Sequence, residues 1–203
     1  MPKGYTTKTK VEDFLNTTIS MTDVKFDDFI EAVEIYIDNF TGRNFIADSE
    51  ASVRVYNGDS SQNLRIDDCV EITKVEVGSG IWGDLHEEIG ITGEDRYYSL
   101  PFNYQLDRVP INEIILRARY WIAGLGNHKV TAKWGWSEAV PSDISWASTF
   151  LVASIYKQGQ GGNMAGIQAE KIGEYSVTFQ DVNEMSDFKN ALVILNKYKR
   201  YVL

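Results

Sequence analysis

The spacing of apolar residues changes repeatedly along this chain. Phe26, Phe29, Ile30, Val33, Ile37 and Phe40 recur at helical spacing, while Asp27, Asp28, Glu31, Glu34 and Asp38 fill the other face. Thr22 or Asp23 stands where a cap is needed, and Gly42 supplies a stop. Upstream, Val11, Phe14 and Leu15 are spaced for one face of a short helix. The polar stretch before it, residues 1–10 with Lys3, Lys8 and Lys10, reads as an extended or mobile arm. From about Ala51 the period becomes two. Val53 and Val55 alternate with Arg54 and Tyr56, and Asn57-Gly58 reads as a hairpin turn. Leu64 and Ile66 follow, then Val70, Ile72, Val75 and Val77, with 85–91 and 97–100 as weaker strands. Ile114, Leu116, Ala118 and Tyr120, then Val130, Ala132, Trp134 and Trp136, close the series.

The helical period then returns. Pro141-Ser142-Asp143 predicts a helix start, with Ser142 as cap and Asp143 favourable beside the helix dipole. Ile144, Ala147, Leu151 and Ile155 form one apolar row, and Trp146, Phe150 and Ala153 form a second, so residues 142–157 predict a helix buried on more than one side. The glycine-rich run 159–166 ends it. Residues 171–182 (KIGEYSVTFQDV) alternate again: Tyr175, Val177 and Phe179 are apolar, with Ser176, Thr178 and Gln180 between them and following. A last helix over 184–201 carries Met185, Phe188, Leu192, Leu195 and Tyr198 on its apolar side. A strand between two helices cannot satisfy its own backbone groups, so 171–182 must pair either within this chain or with a neighbouring copy.

These elements predict an α+β fold. A small helical bundle with one long strand or loop, residues 1–48 plus 141–203, is interrupted by an inserted antiparallel β subdomain, sandwich-like or barrel-like, over 49–140.

Charge narrows the function. Twenty basic residues stand against 29 acidic ones, a net charge of −9 over 203 residues. Binding to nucleic-acid phosphates favours the opposite sign, whereas a negative surface lets DNA pass without sticking. The single cysteine, Cys69, excludes an intrachain disulfide and a cysteine-cluster metal site. No secretory signal and no apolar run of spanning length occurs, which predicts a soluble protein made in the cytosol.

Catalytic signatures are absent: there is no GxxxxGK[ST] loop, HExxH, CxxC or GxSxG. His86 and His128, near Asp84, Glu87 and Glu88, read as surface residues on turns rather than metal ligands. Trp134 and Trp136 could stack on a sugar or base, but core or interface packing is the simpler reading. The chain is therefore expected to be no enzyme and to need no cofactor or metal.

The order of several short phrases resembles the head–tail connector (adaptor, head-completion) proteins of tailed bacteriophages. These are YIDNFTGRNF at 36–45, WGW at 134–136 leading to PSDI at 141–144, the glycine-rich loop, IGEYSV at 172–177 and KYKR at 197–200. The resemblance covers about 23–43 and 140–200, with the β block as the insertion of longer members. It implies a virion structural protein at the neck, made in the bacterial host cytoplasm. Such a protein forms a ring of twelve copies below the portal, extends the DNA channel, and meets the next neck or tail protein. Double-stranded DNA would pass through without sequence-specific binding, and no membrane is involved. On this resemblance Lys197, Lys199, Arg200, Tyr201 and Leu203 are expected to contact the portal protein. Gly161, Gly162, Ile172, Tyr175, Val177 and Phe179 are expected to join neighbouring copies. Two alternatives stand beside it: a β-subdomain binding module for a carbohydrate or peptide on a helical frame, and a tail-completion protein.

Overall fold

A computed structural model describes residues 2–79, 85–93, 96–160 and 186–200. The chain divides into two units, Met1–Arg43 with Val140–Leu203, and Asn44–Ala139. The fold is mixed α+β, with five helices and a six-stranded antiparallel sheet among the described residues.

The first unit is helical. Helices α1 (Lys8–Leu15), α2 (Asp23–Thr41), α4 (Ser142–Gln160) and α5 (Ser186–Asn196) belong to it. Helix α4 is the centre, packing against each of the other three. It can do so because apolar and small residues surround it: Ile144, Ala147, Ser148, Leu151, Val152, Ala153, Ser154 and Ile155 are all buried. Helix α2 buries Phe26, Ile30, Val33 and Ile37 and ends at Gly42, whose φ of +67° suits glycine. Thr22 stands at its N-cap position without a side-chain cap bond. Helix α4 runs through Gly159 to Gln160, beyond the expected stop. Ser142 is its first residue, and Asp143 Oδ1 accepts from the Ile144 amide at 3.0 Å. Helix α5 stops at Asn196, short of the expected 201, and buries Phe188, Ala191 and Leu195.

Of the extended or mobile arm expected over residues 1–10, Lys3–Tyr5 are held in place and Lys8–Lys10 already belong to α1. Glu34, buried on α2, accepts hydrogen bonds from the backbone amides of Lys3, Gly4 and Tyr5, the last two at 2.8 Å. The Tyr5 ring is fully buried and its hydroxyl donates to Asp38 Oδ1 at 2.6 Å. Helix α1 then begins at Lys8, with Thr7 capping it by accepting from the Lys10 amide at 3.3 Å. A carboxylate far along the chain supplies the partners that the polar arm lacks.

The second unit is one curled sheet. Its strands are β1 (Ser52–Gly58), β2 (Asn63–Ser79), β3 (Leu85–Glu88), β4 (Tyr97–Leu100), β5 (Ile111–Leu116) and β6 (Gly124–Trp134). A one-turn helix, α3 (Tyr104–Asp107), precedes β5. The strand order is β1-β6-β2-β5-β4, with β3 paired to β2. Two strands expected over 64–77 are one. The first part of β2 pairs with β5 and the second with β6, with register shifts around Cys69–Lys74 where the partners exchange. Irregularities of this kind bend a strand and raise its twist. The sheet thereby curls around Ile66, Val75, Ile114, Trp121, Val130 and Trp134.

The expected hairpin at Asn57-Gly58 does not form. Strand β1 runs through both residues and pairs with β6 rather than β2. The reason is a reciprocal side-chain lock. The Gly58 amide donates to Asn127 Oδ1 at 3.0 Å, and the Gly126 amide to Asn57 Oδ1 at 2.6 Å. The backbone also approaches closely at Gly58, where a Cβ would fall 1.8 Å from the Ile122 carbonyl oxygen. Strand β5 ends at Leu116, so Ala118 and Tyr120 lie beyond it.

Candidate interaction site

Among the expected portal-contact residues, Lys197, Lys199 and Arg200 lie in the described structure, and they follow α5 rather than ending it. Their backbone is clamped at one end of the helical unit. The Arg43 Nε donates to the Tyr198 carbonyl at 2.6 Å, and the Arg200 amide donates to the Thr41 carbonyl at 2.8 Å. The Tyr198 hydroxyl donates to Asp143 Oδ2 at 2.6 Å. Burial first, and then this bond to the carboxylate, raise the Tyr198 phenol above its ordinary range. The end of α2, the start of α4 and the segment after α5 thus meet at one place. Lys199 Nζ stands 5.1 Å from the Phe40 ring centroid, a cation–π contact, and Lys197 is exposed. From Phe188 to Arg200 there are four cations and no acid. Such a surface suits an acidic partner.

Tyr201 and Leu203 lie outside the described residues, as do Gly161, Gly162, Ile172, Tyr175, Val177 and Phe179, and with them the expected strand at 171–182.

A second feature was not foreseen. Helices α1 and α4 border a cleft of about 460 Å³ whose walls include Lys10, Asp13, Phe14, Ser142, Trp146 and Thr149. Phe14 sits edge-on to Trp146 at 6.5 Å and to Phe150 at 5.2 Å between centroids. Trp146 remains 54% exposed. Lys10 Nζ donates to Ser145 Oγ at 2.8 Å across the cleft, and Lys157 Nζ lies 5.6 Å from the Phe14 ring. The Lys10–Phe14 spacing of one helical turn was the only local hint, because the opposite wall lies more than 120 residues away.

Trp134 and Trp136 do not form a stacking platform. Trp134 is buried, its Nε1 donates to the Ser52 carbonyl at 2.8 Å, and the Arg54 guanidinium covers its ring at 4.5 Å. Arg54 in turn pairs with Asp67 at 2.7 Å. Trp136 packs on Phe45 at 5.9 Å. Gly135 between them has φ +138°, which breaks the strand alternation. His128 is also no surface residue. It is buried against Trp121, with Nδ1 accepting from the Gly78 amide at 3.4 Å and Nε2 donating to the Ile122 carbonyl at 3.0 Å. Among the described residues no group of three or more His, Cys, Asp or Glu side chains is placed to hold a metal, and no helix is long and apolar enough to cross a membrane.

No known family profile and no curated protein matches the sequence. Solved structures do. A chain from the neck of an empty GTA (gene transfer agent) particle, computed with C6 symmetry, superposes with a TM-score of 0.58 at 11% identity, covering 96% of this chain and 89% of that one. The chain shares its fold with a component of a GTA neck. A chain of the native gene transfer agent virion gives 0.53 at 13% identity, with the same two coverages of 96% and 89%. One from the native GTA neck computed with C12 symmetry gives 0.50 at 12%, covering 96% and 88%. The likeness spans both units of the chain, β block included.

Proposed function

We propose that this protein is a structural component of a phage-like virion neck, assembling as a ring below the portal, joining head to tail and surrounding the path of the DNA. The observation that carries this reading is the near-complete overlap of the fold with chains of a GTA neck, over 96% of the sequence. The net charge of −9 supports it, since DNA passes an acidic wall without adhering. The clamped basic segment supports a polar partner contact through Lys197, Lys199 and Arg200, continued by Tyr201 and Leu203, and the portal protein is the proposed partner. For the strand pattern of Ile172, Tyr175, Val177 and Phe179, with Gly161 and Gly162 before it, the proposed partner is the neighbouring copy. The carbohydrate-binding alternative loses its principal residue, because Trp134 is enclosed by its own unit.

Native mass spectrometry of the purified chain, with and without a portal ring, tests the proposal. The expected result is a defined multimer, near twelve copies, bound to the portal. A monomer that ignores the portal overturns it, and binding only to a tail-tube end would favour a tail-completion role.

A further inference from the structure

We infer that the cleft between α1 and α4 receives the outer face of α2 from a second copy of this chain. This contact would be the head-to-tail joint of the ring, so the inference rests on the ring reading above.

Helix α2 turns Phe26, Ile30, Val33 and Ile37 into its own core. At about 100° per residue, Val24, Asp28, Glu31 and Ile35 fall on the opposite side. That outward stripe is acidic, yet Val24 is 75% and Ile35 49% exposed. The cleft carries complementary chemistry: an aromatic wall of Phe14 and Trp146, with Lys10 beside it.

The charges also fix a direction. Lys10 and Asp13 lie three residues apart on α1, and Lys25 and Asp28 lie three apart on α2 in the same sense. Antiparallel docking sets Lys10 against Asp28 and Asp13 against Lys25, and the next pair in that register is Phe14 with Val24. The parallel register with the same spacing would set Lys10 on Lys25 and Asp13 on Asp28, like on like, which is penalised. None of these four side chains joins an ion pair among the described residues.

The two surfaces face different ways. Lys8 reaches back to Met21 O and Asp23 Oδ1, each at 2.8 Å, on the side of α1 nearest its own α2. Lys10 leaves α1 about 160° further round and meets α4 instead. A contact between two different surfaces is heterologous, and heterologous contacts close into rings or run on as filaments.

The test is cysteine cross-linking of the full chain carrying D13C and K25C, alone at high concentration and on the portal ring. Both positions are exposed and the native Cys69 is buried. A heterologous joint gives a ladder of cross-linked species. A product that stops at dimers, or no product, overturns the inference. Charge reversal gives an independent reading. K10E and D28K should each lower the multimer yield about tenfold, and the double variant should regain most of it. Melting temperatures near wild type show that the fold is kept. If wild type forms rings that ignore both reversals, this joint is wrong and the ring stands. A wild-type chain that stays monomeric on the portal removes both.

Discussion

Replacing Glu34 with alanine should release the N-terminal arm. In the native structure its carboxylate accepts three backbone N–H groups and holds Tyr5 in a fully buried position. Hydrogen bonds to a charged acceptor contribute about 1.5–3 kcal/mol each before the released amides regain water. Exposing the Tyr5 ring forfeits up to about 2 kcal/mol more. Allowing for resolvation, Glu34→Ala should cost about 3–5 kcal/mol, the range found when a buried charged network loses one member. Glu34→Gln keeps one acceptor oxygen and should cost about 1–2 kcal/mol. Denaturant titration gives the global loss, and amide exchange at Gly4 and Tyr5 reports the arm. A Glu34→Ala protein within about 1 kcal/mol of wild type, with the Tyr5 amide still protected, would refute the reasoning. The pH dependence has a definite sign. Burial raises the Glu34 pKa above its ordinary 4.5; the three amides oppose this and Asp38 adds to it. A carboxyl that holds its proton more tightly when folded contributes full stability below its ordinary pKa. That contribution is lost as pH rises through the raised value. The stability difference between wild type and Glu34→Gln should therefore shrink as pH rises across that window.

Other outcomes follow from the same geometry. Gly135→Ala places a Cβ 2.4 Å from the Ile46 carbonyl oxygen at φ +138°, so the β unit should lose at least about 2 kcal/mol in thermal denaturation. Cys69 is buried in an apolar setting that pushes its thiol up to about 12, so a disulfide reagent at pH 8 should label the native protein slowly and the denatured protein fast. Tyr198→Phe removes the 2.6 Å bond to Asp143 and should cost about 1 kcal/mol, read as faster exchange of the Arg200 amide while the β unit is unchanged.

What could be read from the sequence was what is local. The stripe of α2 and the first row of α4 (Ile144, Ala147, Leu151, Ile155) follow from 3.6-residue spacing and are buried as expected, whereas Trp146 of the second row stays 54% exposed. The β positions were legible but their partners were not, because period-2 alternation says which face is buried and nothing about the neighbouring strand. Asn57-Gly58 shows the difference. Its turn chemistry is a local preference, overruled by Asn127 and Gly126 from the far end of the unit. The arm misled for the same reason, since its partner Glu34 looked like one more acid on a solvated face. At the candidate site, the cations from Lys197 to Arg200 were visible as charge. The clamp was not, because Thr41, Arg43 and Asp143 come from distant positions.

The division of the helical unit into two separated stretches sets an order for biosynthesis. Helices α1 and α2 leave the ribosome first, but α4, against which both pack, is made about a hundred residues after α2 ends. At about 5–20 residues per second that is a wait of roughly 5–20 s. During it, Phe26, Ile30, Val33 and Ile37 have no native surface to cover them. The β unit is continuous and can close as soon as β6 emerges. The nascent chain therefore completes the β unit before the helical one. The surfaces proposed to meet other copies come together only when translation is nearly finished.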